Sequence, residues 1–253
     1  MRFGFDASWS RAGSAAKAAF ASSFVFLLTT VMATGFSGCI VFRHKGPTTE
    51  GVTASRELTR QGVAAMETGQ WQQAEDLLRK ALKISPDDAS THRSMAEVLW
   101  HRNAREEAIA QINEAIEHDA NNSSLRVRAG EMDLATGATD AALTHAERAI
   151  RSDPRSAAAW ALRGRCFLQK NQSDRALADL QRSLEFAPDS TDVLLDIAQI
   201  YRQRGLAARS LTTIHHLLDT YPPGEESQQA LTLEGLALLD LKRPQQACDV
   251  FAA

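Results

Sequence analysis

Small residues return along this chain every 34 positions, at Gly62, Ala96, Gly130, Gly164 and Ala198. Twelve residues after each stand Ala74, Ala108, Ala142, Ala176 and Ser210, and seven further on come Ala81, Ala115, Ala149, Ser183 and Leu217. Each unit closes at Pro86, Ala120, Pro154, Pro188 or Pro222. Four columns sharing one period leave few folds open. Each copy must be one small supersecondary unit, and such units stack because none can bury its apolar face alone.

The clearest copy is residues 157–190. Trp160, Gly164 and Phe167 fall on one helical face at spacings of four and three, and after a polar run from Lys170 to Asp174 a second face carries Ala176, Leu177, Leu180 and Leu184. Pro188 ends this second helix. The small residues of the two helices let their backbones approach closely. The second copy departs furthest, with His92 in the place of Trp160 and Ala120 in that of the proline. Met95, Ala96, Leu99, Ile112 and Ile116 can still close its core. After Pro222 the register slips: Gly235 follows Ala198 by 37 residues, and Ala247 then restores the spacing of twelve. With 44% hydrophobic and only 6% aromatic residues, the composition suits helices better than sheets.

These columns resemble the tetratricopeptide repeat, over about residues 55–253. The resemblance implies an all-α, right-handed superhelical solenoid of antiparallel helix pairs, its first helices lining a concave groove. Five full repeats start near residues 55, 89, 123, 157 and 191, and a sixth, incomplete one near 228.

The first fifty residues read differently. Residues 18–42 carry no charge and follow Arg2, Arg11 and Lys17, the layout of an export signal. Ser37, Gly38 and Cys39 resemble the bacterial lipoprotein cleavage box, which would make Cys39 the lipidated first residue, although Phe36 stands where that box has an aliphatic residue. The 25 uncharged residues would also span a bilayer as an uncleaved anchor, since roughly 20 suffice; a simple cleaved secretory signal is the third reading. Residues 1–39 are thus expected to direct export and residues 40–54 to form a flexible tether, rich in Gly, Pro and Thr. Five basic against two acidic residues give this first fifty a charge of +3, which leaves −6 for the rest of a chain of net charge −3. No basic excess points to nucleic acid.

Three cysteines, Cys39, Cys166 and Cys248, form neither a disulfide framework nor a zinc motif. The phosphate-binding, dinucleotide-binding, zincin and nucleophile-elbow motifs are all missing. His215 and His216 cannot face one ion, because adjacent helical residues point about 100° apart; one partly buried and one exposed histidine is the expectation. His101 and His118 fall in the second repeat and His145 in the third. No enzyme, no metal and no cofactor is expected.

A partner is expected in the groove. The resemblance places there Arg60, Val63 and Glu67; Arg93, Ser94, Glu97 and His101; Val127, Arg128 and Glu131; Ala161, Leu162, Arg165 and Gln169; and Leu195, Asp196 and Gln199. The family's lysine and asparagine clamp for a peptide carboxylate is not matched at these positions. A protein or peptide segment could instead set its acidic end on Arg60, Arg93 and Arg128 and its apolar anchors on Leu162 and Leu195. The expected function is a non-enzymatic interaction scaffold, attached to a membrane on the periplasmic side of a bacterial envelope. The combination of lipobox and repeats is similar to the pilotin-type lipoproteins that help assemble secretins for pili. Two alternatives are a recruiting module of a larger enzyme continuing past residue 253, and self-association through an uncapped C-terminal end.

Overall fold

The computed structural model describes residues 49–222 and 224–252. Cys39, the export or anchor segment of residues 1–39 and the tether up to residue 48 lie outside the described residues. Among the described residues there are twelve helices and no strand: α1 (Thr49–Glu67), α2 (Trp71–Ile84), α3 (Ala89–His101), α4 (Arg105–His118), α5 (Ser123–Ala135), α6 (Thr139–Ser152), α7 (Ala157–Gln169), α8 (Ser173–Phe186), α9 (Thr191–Gln203), α10 (Ala207–Leu218), α11 (Gln228–Asp240) and α12 (Pro244–Ala252). They pair as antiparallel hairpins and stack into the right-handed solenoid. No helix among them is long and apolar enough to cross a membrane. The first helix starts at Thr49, so residues 49–54 are helical and not part of the tether; Ser55, in that first stretch of α1, is buried and donates its hydroxyl to Ala81 O at 3.0 Å, which ties the helix start to α2.

The small columns are the hairpin contacts. A Cβ added to Gly164 would stand 2.9 Å from Leu180 Cγ and 3.2 Å from Ala176 O, and one added to Gly62 would meet Leu78 at 2.9 Å. Ala74, Ala108, Ala142 and Ala176 are all fully buried. Ser210, the exception in that column, donates to Ala198 O at 2.8 Å. Ser183 donates to Ala157 O at 2.9 Å, the converse of Ser55 donating to Ala81 O. At this one contact the serine sits on the first helix in the first repeat and on the second helix in the fourth, and a buried hydroxyl is satisfied each time.

A further column closes every hairpin. Gly69, Asn103, Gly137, Asn171, Gly205 and Lys242 all adopt positive φ, between 59° and 85°. This conformation follows each first helix and turns the chain into the second. Glycine and asparagine alternate there at the same 34-residue spacing, so the column was readable in the sequence.

One pattern repeats with changed chemistry. Trp160 Nε1 donates to Pro154 O at 2.9 Å. His92 Nε2 lies 2.7 Å from Pro86 O, so that nitrogen carries the proton, and Arg126 Nη2 donates to Ala120 O at 2.7 Å. Three different side chains tie the start of a first helix to the preceding turn, and the weak match of the second repeat is thereby compensated.

Burial also decides cysteine chemistry. Cys166 is fully buried, and burial pushes its thiol up to about 11, whereas Cys248 is exposed. Native full-length protein treated with an alkylating reagent and peptide-mapped should be labelled at Cys248 and spared at Cys166, and Cys166 should react once denaturant is added. Labelling of Cys166 without denaturant would contradict this packing.

Candidate functional site: the concave face of the array

Successive first helices touch, α1 with α3, α5 with α7 and α9 with α11, while the second helices fan apart. The array therefore curves towards its first helices, and their outer face is the concave one.

Most charges expected to await a partner already have one. Arg128 grips Glu97 of the preceding repeat with Nε and Nη2, both at 2.7 Å, and reaches Glu131 at 3.2 Å. Two periods further on, Arg165 Nε holds Asp196 at 2.7 Å and approaches Asp192 at 3.7 Å. These are the same two positions on consecutive repeats with the charges exchanged, and they bridge α3 to α5 and α7 to α9. Hydrogen bonding to Glu97 raises the Arg128 pKa further. Arg60 is exposed and spends its fork on Glu57, which bonds from Arg60 and Gln61 hold down at about 2. Arg93 is exposed and forms no ion pair among the described residues.

Leu162 is a correction. It is 2% exposed and belongs to the core with Val127, Ala142, Ala146, Ala149, Ala159 and Cys166. Its Cδ2 lies 2.6 Å from where a Cβ on Gly130 would stand, so it fills the space that Gly130 leaves between α5 and α7. A first helix inside a stack is buried on two faces, one towards its own hairpin and one towards the neighbouring repeat, and expecting only the first misplaces Leu162. Val127 and Ala161, each 6% exposed, are withdrawn from the groove for the same reason. Gln169 is spent on Thr139, whose hydroxyl it accepts at 2.6 Å, and His101 stacks on Trp71 with ring centroids 3.7 Å apart.

Leu195 and Gln199 do line an open feature. Together with Arg202, Gln228, Gln229, Thr232, Leu233 and Leu236 they bound a pocket of about 380 Å³ between α9 and α11. Its floor is leucine and its rim carries amides and one guanidinium. It occupies the junction where the repeat lengthens from 34 to 37 residues. Asp196 and Gln199 also line a smaller neighbouring hollow with Asn171 and Gln203. The sequence held the signal for α11 in its register slip, but the expected groove stopped at Gln199 and missed Leu233 and Leu236.

Among the described residues no three His, Cys, Asp or Glu side chains gather where they could hold a metal. His215 and His216 are both exposed, a correction to the expected one-buried pair, and they diverge: His215 lies 3.0 Å from Glu234 and His216 3.8 Å from Asp189. Inside the third repeat His145 Nε2 approaches Asp133 at 3.6 Å. Burial first, then the charges of Arg126 and Arg148, lowers the His145 pKa; burial alone raises that of Asp133.

That histidine gives a pH dependence with a definite sign. The folded state keeps it neutral where the unfolded chain protonates it, so the unfolded state binds more protons and stability falls as pH drops through the ordinary histidine range. Asp133 acts oppositely, and mostly in the more acid carboxylate range. Replacing His145 with Gln should flatten the fall in urea midpoint between about pH 7.5 and about 5.5. An unchanged slope would show that His145 does not carry it.

Sequence comparison matches residues 65–130, and again residues 128–191, to the tetratricopeptide repeat. The two matches together span half of the chain. No curated protein matches the sequence. Among solved structures the array is similar to PilF of Pseudomonas aeruginosa, with a TM-score of 0.70, 18% identity and coverage of 79% of this chain and 90% of that one. It is similar to PilW, described as a widely conserved type IV pilus biogenesis factor, with a TM-score of 0.71, 18% identity and coverage of 78% and 90%. YrrB, described as a repeat protein with an unusual peptide-binding site, gives a TM-score of 0.52, 20% identity and coverage of 69% and 89%. At such identities the likeness is one of fold.

Proposed function

This chain belongs to the tetratricopeptide repeat family, and from that premise we propose that it is a non-enzymatic scaffold whose concave face seats a segment of a partner protein in the α9–α11 pocket. The observation that carries the reading is the pocket itself. Leu195, Leu233 and Leu236 offer a half-buried apolar floor, while Gln199, Gln228 and Gln229 can bond a segment's backbone. Further towards the N-terminus Arg128 and Arg165 are held by their own carboxylates and Leu162 is core, which leaves fewer side chains free for such a role. A segment with one or two apolar anchors and free backbone groups fits best.

The place of action we propose is the bacterial envelope, with the N-terminal segment as export signal and membrane attachment through Cys39 or an uncleaved anchor. A pilotin-like assembly role is the narrower form of this reading, favoured by the likeness to PilF and PilW. The test is capture of envelope proteins by full-length wild type and by a Leu195→Glu, Leu233→Glu variant. A partner retained by wild type and lost by the variant, with the helical signal and urea midpoint unchanged, supports the reading. Equal capture by both removes the pocket from it. Loss of lipid labelling in Cys39→Ala would support the lipoprotein form, and retained labelling would exclude it.

A further inference from the structure

We propose that the α5–α6 hairpin carries an oxyanion site, formed by Arg126, Arg148 and Arg151, that takes a phosphate-type group. Arg126 stands in the column of His92 and Trp160 and spends Nη2 on Ala120 O, as they spend a ring N–H on the matching carbonyl. A guanidinium has further donors, and here Nε and Nη1 are buried without an acceptor among the described residues. A buried donor left unmade is costly, and more so when charged, so these atoms mark a place where an acceptor belongs.

The surroundings select a negative one. His145, Arg148 and Arg151 are spaced by three on α6 and share a face. That face lies against α5, since a Cβ on Gly130, one turn along from Arg126, would stand 3.2 Å from His145 Cβ. Arg148 and Arg151 are exposed and form no ion pair among the described residues. Burial first, then the charges of these two arginines, depress the Arg126 pKa. The fourth repeat shows the neutral version: Trp160 replaces Arg126, and an Arg182–Glu185 ion pair stands where Arg148 and Arg151 are. Asp133 approaches His145 at Nε2 and is buried beside it. Arg148 and Arg151 thus lie on the helix face beside Arg126, and none of the three forms an ion pair among the described residues. A tetrahedral oxyanion has several acceptor oxygens to offer the unbonded N–H groups of Arg126 and the two exposed arginines on α6. The site borders the α4–α5 turn through Ala120, not the α9–α11 pocket, and stands independently of the function proposed above.

The test uses the full chain, wild type and Arg148→Gln, Arg151→Gln. Both positions are exposed and glutamine keeps helix propensity, so the variant should fold. Inorganic phosphate, against chloride at matched ionic strength, should raise the wild-type melting temperature, and the variant should need about tenfold more phosphate for the same shift. A second arm measures flotation with neutral phosphatidylcholine vesicles, with and without phosphatidylglycerol; comparing the two proteins cancels membrane binding by the rest of the chain. If the variant also loses a preference for the anionic vesicles, the ligand is a lipid headgroup. If only the phosphate response changes, it is a soluble phosphoryl compound. No phosphate-specific response in wild type, or the same response in the variant, would overturn the site.

Discussion

Leu162→Ala is expected to destabilise the array by about 2–4 kcal/mol, the range for truncating a buried leucine whose surroundings cannot collapse. The site has little means of collapsing. Leu162 fills the gap left by Gly130, and four members of its cluster, Ala142, Ala146, Ala149 and Ala159, are alanines with little to move inward. The lost contacts join the third repeat to the fourth, and in a stack of nearest-neighbour interfaces that weakens the coupling of the two halves. Urea denaturation followed by far-UV circular dichroism should show a lower midpoint and a broader or split transition. A midpoint unchanged within a few tenths of a kcal/mol would return Leu162 to the surface and the groove.

Arg128→Glu should be nearly as costly, about 2–4 kcal/mol, for an electrostatic reason. The wild-type guanidinium joins Glu97 and Glu131, and both it and Glu97 are only 28% exposed. The variant replaces one cation between two anions by three carboxylates in a half-screened place, so lost attraction and new repulsion add. Reversing both partners, Glu97→Arg with Arg128→Glu, should recover most of the loss, because Arg165 with Asp196 shows that the same two positions accept the opposite polarity. A double variant as unstable as the single one would mean that the pair is not the cause. The same geometry bears on any use of Arg128 as a binding probe: a charge reversal there would lower partner capture through unfolding alone. Arg93→Glu, at an exposed and unpaired position, is the clean probe of groove charge.

Much of the fold was legible because a helix hairpin of fixed length repeats its packing residues at fixed places. Gly62 to Ala198 and Ala74 to Ser210 could be aligned by eye, and they are the contacts at which the helices meet. The groove was less legible, for two reasons. One period records which residues are small or large, not which of two buried faces a large residue serves, and Leu162 sits on the second one. Spacing also cannot show whether a charge is answered from the next repeat: Glu97 and Arg128 are 31 residues apart and meet only because α3 and α5 stand side by side. The pocket lies where the period fails, between residues 198 and 235, and a reading that follows the repeat loses precision there. The unexpected role of Arg126 has a similar origin, since a column of His, Arg and Trp looks like noise until all three reach the same carbonyl.

The most direct measurement is photocrosslinking in the native envelope. A photoreactive residue is placed at Leu233 on the pocket floor and, as control, at Lys80 on the outward side of α2. The α9–α11 pocket as the partner's seat predicts one discrete adduct from position 233 that is missing from position 80 and is suppressed by Leu195→Glu. No adduct at 233, or the same adduct from both positions, would contradict it.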